Sequence, residues 1–208
     1  MNKAVLFLAA LGASTALCAP VPAEKRDTIP IARVPDVPPP SRETLDASIR
    51  KAADFLLKEQ NRDGSWGNHT RTKGLNVLCP YPEGPRSFRT ASTSLCVIGL
   101  LTSPLKEDPA VKASLDKALQ YLLTTLPTLK RGDTRTVLGV WGHAYGLSAL
   151  SRAARNLPAD APLREELKKV ASLQVKALDQ MADVQGGWGY YTFETFSKRP
   201  IGEPTSFL

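Results

Sequence analysis

The stretch Lys51-Ala52-Ala53-Asp54-Phe55-Leu56-Leu57-Lys58-Glu59-Gln60-Asn61-Arg62-Asp63-Gly64-Ser65-Trp66 holds the end of a helix and the turn that leaves it. Going back from Lys51, Leu45, Ile49, Ala52 or Ala53, and Leu56 recur at helical spacing, which predicts one apolar stripe on a helix whose outer side is wet. Ser41, after three prolines, is the expected N-cap of that helix. Asn61, Asp63 and Gly64 are turn formers that let the chain leave sharply before Trp66. The amide of Gln60 and the indole of Trp66 exchange no protons near neutral pH, so the pair reads as a brace rather than as chemistry.

Further along, the half-wet helix type returns twice, alternating with a second type. TASTSLCVIGLL, from about Thr90 to Leu101, is apolar or small nearly all round, which predicts burial on most sides; Thr90, Ser92, Thr93 and Ser94 mark its expected start. Asp108 and Pro109 supply a cap and a first-turn proline for a helix with Val111, Leu115, Leu119, Leu122 and Leu126 on one stripe. GVWGHAYGLSALSRAAR follows, and its Ala144, Gly146, Ala149 and Ala153 are small enough for close helix contact. Asp160 and Pro162 repeat the start signal before LREELKKVASLQVKALDQMA, with Glu165 and Glu166 where the helix dipole favours acids. Lys51, Lys117 and Lys176 align the three half-wet helices at separations of 66 and 59 residues. Self-similarity of this length, built on helix pairs, predicts an all-α repeat array in which each unit completes its neighbour's core.

Lys51-Ala52, Phe55-Leu56, Gln60, Gly64 and Trp66 together resemble the QW motif of the squalene cyclase and prenyltransferase superfamily, with Ala52 where that family usually has Gly. A partial second copy runs from Lys176-Ala177 to Gln185-Gly186-Gly187-Trp188 without the aromatic before the Gln, and the middle unit has Leu126 in the Gln position. The resemblance covers Ser41 to the end and implies an α/α-toroid of helix-pair repeats. It also implies structural roles for Gln60, Gly64, Trp66, Gln185, Gly187 and Trp188, the Gln amide satisfying orphan carbonyls at its helix end while the Trp ring stacks on it. Thr205 to Leu208 resemble the first turn of a third inner helix, so an incomplete toroid is expected.

The catalytic segments of that superfamily do not occur in the sequence. Squalene-type cyclases protonate an alkene with a DxDD segment, because so weak a base needs an unusually strong acid, and this chain has no such cluster. Protein prenyltransferases hold zinc with Asp, Cys and His, yet neither Cys79 nor Cys96 has an Asp two residues away. No metal or cofactor is therefore expected, and no residue is assigned a catalytic role. The expected function is binding or scaffolding; the alternative is a cyclase, a transferase or a polysaccharide-active enzyme whose acids lie beyond Leu208. Trp141, His143, Tyr145, Trp188, Tyr190 and Tyr191 are the binding candidates, for an apolar, glycan or protein ligand. His143 is the one candidate for acid–base work, against the reading of a histidine packed among aromatics.

At the N-terminus, Lys3 precedes an apolar run from Ala4 to Ala13 and then small residues to Ala19, the layout of a secretory signal peptide over residues 1–19 and too short to span a bilayer. A secreted or periplasmic chain without a transmembrane helix follows as the expectation; Leu17 before Cys18 disfavours lipid attachment. Residues 20–40 are proline-rich and poor in large apolar residues, an extended linker, and 41–208 form one helical repeat domain. The formal net charge of +7 is spread among acids with no aromatic-interleaved stripe, so no nucleic-acid partner is expected. Cys79 and Cys96 either pair or remain thiols.

Overall fold

A computed structural model describes residues 38–68, 83–130, 139–182 and 187–188. The expected signal peptide and the linker up to residue 37 lie outside the described residues. Contacts divide the chain between Pro39 and Pro40, and all the described helices belong to the second unit.

Among the described residues the secondary structure is helical throughout, with five α-helices and no strand. α1 spans Arg42–Glu59, α2 Glu83–Thr102, α3 Pro109–Thr125, α4 Gly139–Asn156 and α5 Pro162–Met181, and a 3-10 turn over Leu126–Thr128 prolongs α3. Ser41 caps α1 by accepting from the Thr44 amide, and Asp108 caps α3 by accepting from the Ala110 amide, as the sequence predicts. Pro162 opens α5, but Asp160 does not cap it; Ala161 holds that position with no side-chain bond. α2 starts at Glu83, seven residues before the expected Thr90. Pro85 lies in the first turn, where its missing N–H is one of the helix's unpaired donors in any case. The hydroxyls expected to mark the start sit inside the helix instead. Thr90, Thr93 and Ser94 donate to the carbonyls of Arg86, Arg89 and Thr90, four residues back, and so are buried without an unmet donor.

α2 and α4 pack against each other; α3 lies on α2, α5 lies on α4, and α3 also touches both α1 and α5. The outcome is two layers, α2 with α4 and α1 with α3 and α5. Between them sit Val97 and Leu100 of α2, Leu122 of α3, Leu150 of α4 and Leu167 of α5, all essentially inaccessible. Full burial of such a side chain stabilises by about 1.5–3 kcal/mol. Every residue of the predicted α3 stripe, Val111 through Leu126, is buried. α4 gets close to its neighbours through its glycines: a methyl group on Gly142 would strike Leu129 and Ser87, and one on Gly146 would strike Leu126.

The α1 stripe is only partly covered. Ala53 is buried and Ile49 and Leu56 are half-buried, while Leu45 and Phe55 are 46% and 62% exposed. α1 faces α2 across an open groove of about 340 Å³ that Ile49, Ala52, Leu56, Gly99, Leu100 and Pro104 line. α2 is likewise not enclosed all round, since Phe88, Ser92, Leu95, Gly99 and Thr102 leave one face open. No described helix is long and apolar enough to cross a membrane.

Candidate functional site

The turn after α1 is built on hydrogen bonds that the sequence announces only in part. Asn61 takes the Ser65 carbonyl on its backbone N–H (2.9 Å), and its side-chain amide donates to Ser65 Oγ and to the Gly67 carbonyl. Asp63 accepts from both the amide and the hydroxyl of Ser65. Arg89, on α2, donates to both Asp63 oxygens at 3.1 and 2.9 Å and lies over the Tyr121 ring of α3, 5.6 Å from its centroid. The turn is thereby held to both neighbouring helices. Partial burial raises the Asp63 pKa, but the Ser65 bonds and the Arg89 charge outweigh it and leave the carboxyl below its ordinary value.

Gln60 and Trp66 share the bracing differently from the family expectation. The Trp66 indole, not the Gln amide, serves the helix end: Nε1 donates to the Leu56 carbonyl at 2.7 Å, in the last turn of α1. Its backbone amide donates to the Thr93 hydroxyl of α2 at 3.0 Å. The Gln60 amide donates to the carbonyls of Gly64 and of Ser114, the latter inside α3, and its oxygen accepts from Ser114 Oγ. Gln60 is a clasp between α1 and α3. Gly64 is required twice over, because its φ of +86° favours glycine and because a Cβ there would collide with the Lys117 backbone carbonyl.

Trp188 repeats the indole bond at the end of α5, donating to the Leu178 carbonyl at 2.9 Å. Leu126, in the Gln position of the middle unit, makes no such bond; it is buried against Gly146 of α4. Gln185, Tyr190 and Tyr191 lie outside the described residues, as do Cys79 and the end of the chain from residue 189. Gly187 is half-buried beside Trp188.

Of the binding candidates, Trp141 and Tyr145 come together one turn apart on α4, their rings stacked at 5.8 Å with 22° between planes and both half-buried. His143, midway between them in sequence, turns to the other side of the helix, where it is 3% exposed. Its Nδ1 lies 2.6 Å from Gln174 Oε1 on α5, and its Nε2 is buried with no hydrogen-bond partner among the described residues. Burial lowers its pKa, and the Gln174 bond opposes that only in part. Sequence periodicity had no means of pairing His143 with Gln174, which reads as an ordinary polar residue of a half-wet helix.

Among the described residues no group of three or more His, Cys, Asp or Glu side chains could hold a metal ion. Cys96 is a free, half-buried thiol whose pKa burial pushes up to about 11, which leaves it a poor nucleophile at neutral pH. No family model matches the chain, and no solved structure matches it.

Proposed function

We propose that the chain is an exported helical-repeat protein of the squalene cyclase and prenyltransferase type, a segment of an α/α-toroid, that acts by binding a ligand rather than by catalysis. The observation that carries this reading is the recurrence of one brace: two half-wet helices, α1 and α5, each end with a tryptophan indole bonded to a carbonyl in the last turn. Both indoles reach ten residues back, and one bond recurring at one spacing supports a repeated helix-and-turn unit, although the indole takes the part that the family motif gives to the Gln amide. The stacked, half-buried Trp141–Tyr145 pair is the candidate aromatic surface, of a kind suited to an apolar chain or a sugar ring.

Calorimetric titration of the purified chain with a farnesyl lipid, and separately with an oligosaccharide, tests the reading. Saturable binding of one of them, weakened about tenfold or more by Trp141→Ala, is the expected result. Turnover of a polyprenyl diphosphate, or binding indifferent to Trp141→Ala, overturns it.

A further inference from the structure

α4 and α5 share one buried polar contact, and its geometry fixes where a proton can go. Gln174 is 1% exposed and donates its amide to the Val170 carbonyl of its own helix at 3.0 Å. That bond orients the side chain, so the oxygen is the group facing His143. An acceptor oxygen at 2.6 Å requires Nδ1 to carry the hydrogen, and the neutral ring then keeps its lone pair on Nε2. Nε2 is the buried atom without a partner. Adding a proton there creates both a charge and an N–H with no protein acceptor in a buried interface, each of them costly.

We infer that the His143–Gln174 contact is a pH-operated latch: it holds α5 on α4 when the imidazole is neutral, and protonation at Nε2 loosens that hold. The surroundings supply no counter-charge among the described residues. On α5, Lys169, Lys176 and Asp179 are exposed. On α2, Arg86 is engaged by Glu83 and by Thr128. Lys130, after the 3-10 turn, is exposed, and only its backbone carbonyl comes near Gly139. Burial and Gln174 are the two influences on the ring, and burial is the larger. α5 is suited to release because its packing is almost wholly on α4, with α3 and the 3-10 turn touching it lightly.

The direction follows from proton binding. A folded pKa below the ordinary 6.5 means that the open form binds the proton more readily, so opening grows as pH falls from about 6.5 and levels off below the folded value. Hydrogen exchange of the intact chain, corrected for intrinsic rates, reads this directly. Between pH 7.5 and 5, α5 amides lose protection by up to about tenfold for each unit by which the folded pKa is lowered, to a ceiling of about 30-fold at pH 5, while α3 amides keep theirs. His143→Phe, with a ring of similar size and nothing to titrate, abolishes the difference. The chain has two histidines, so His69→Gln leaves the His143 Cε1 proton as the lone imidazole signal in an NMR titration, whether or not the phenylalanine variant folds. A midpoint at or above 6.5, or a loss of α5 protection as large in His143→Phe as in the native chain, overturns the latch.

Discussion

Trp188 stands to Leu178 as Trp66 stands to Leu56: an indole reaches ten residues back to a carbonyl four positions before the helix's C-cap, at 2.9 and 2.7 Å. The two bonds are not equally needed. Leu178 also receives the backbone N–H of Ala182 at 3.0 Å, whereas among the described residues the Leu56 carbonyl has no such backbone bond from beyond its helix. Trp66→Phe keeps an aromatic ring but strips the donor from a residue 4% exposed, and is expected to destabilise the fold by about 1–3 kcal/mol. Trp188→Phe should cost clearly less. Urea midpoints of the two variants rank them, and an equal loss contradicts the account.

The two left-handed glycines of the first turn separate strain from collision. Gly67 has a φ of +88°, but a Cβ there would meet Ser92 side-chain atoms at an ordinary 3.8 Å. Gly67→Ala therefore carries backbone strain alone, about 1–2 kcal/mol. Gly64→Ala adds the clash with Lys117 and must push the turn off α3, so its melting temperature should fall by at least twice as much. Similar losses at both sites would mean that the turn does not sit on α3 as described.

Gln60 and Ser114 bond each other from α1 and α3, with the Ser114 hydroxyl donating to Gln60 Oε1 at 2.9 Å. A double-mutant cycle over Gln60→Ala and Ser114→Ala is expected to give a coupling of about 0.5–1.5 kcal/mol. Strict additivity would leave α1 without its clasp.

Acid should loosen the same turn through Asp63. Its folded pKa lies below the ordinary 3.8, so the stability it contributes is complete above about pH 4 and is lost as pH falls through the folded value. Asp63→Asn removes the charge facing Arg89 and should flatten the stability profile between about pH 4 and 2 relative to the native chain. Parallel profiles would show that the carboxylate is not held by Arg89 and Ser65.

Helix identity was legible because it depends on near neighbours: Ser41, Asp108 and Pro162 announce starts, and the α3 stripe is buried residue for residue. Where the reading slipped, one residue type had two uses. The hydroxyls of Thr90, Thr93 and Ser94 could cap a helix end or bond back four residues inside it, and they do the second. Partners distant in sequence were beyond reach. Nothing near Gln60 points to Ser114, and nothing near His143 points to Gln174, because each pair forms only when separate helices meet. The open side of α1 was hidden for the opposite reason: a stripe records which residues tolerate burial, whereas cover depends on what lies opposite.

Where Gln60 joins α1 to α3 with an amide, Leu126 closes the far end of α3 on α4 with methyl groups lodged against Gly146. Oily contacts weaken on cooling, and hydrogen-bonded ones do not follow them. Cooling should therefore weaken the Leu126 seam more than the Gln60 clasp, so that temperature changes the balance between two closures of the same helix, one at each end of α3.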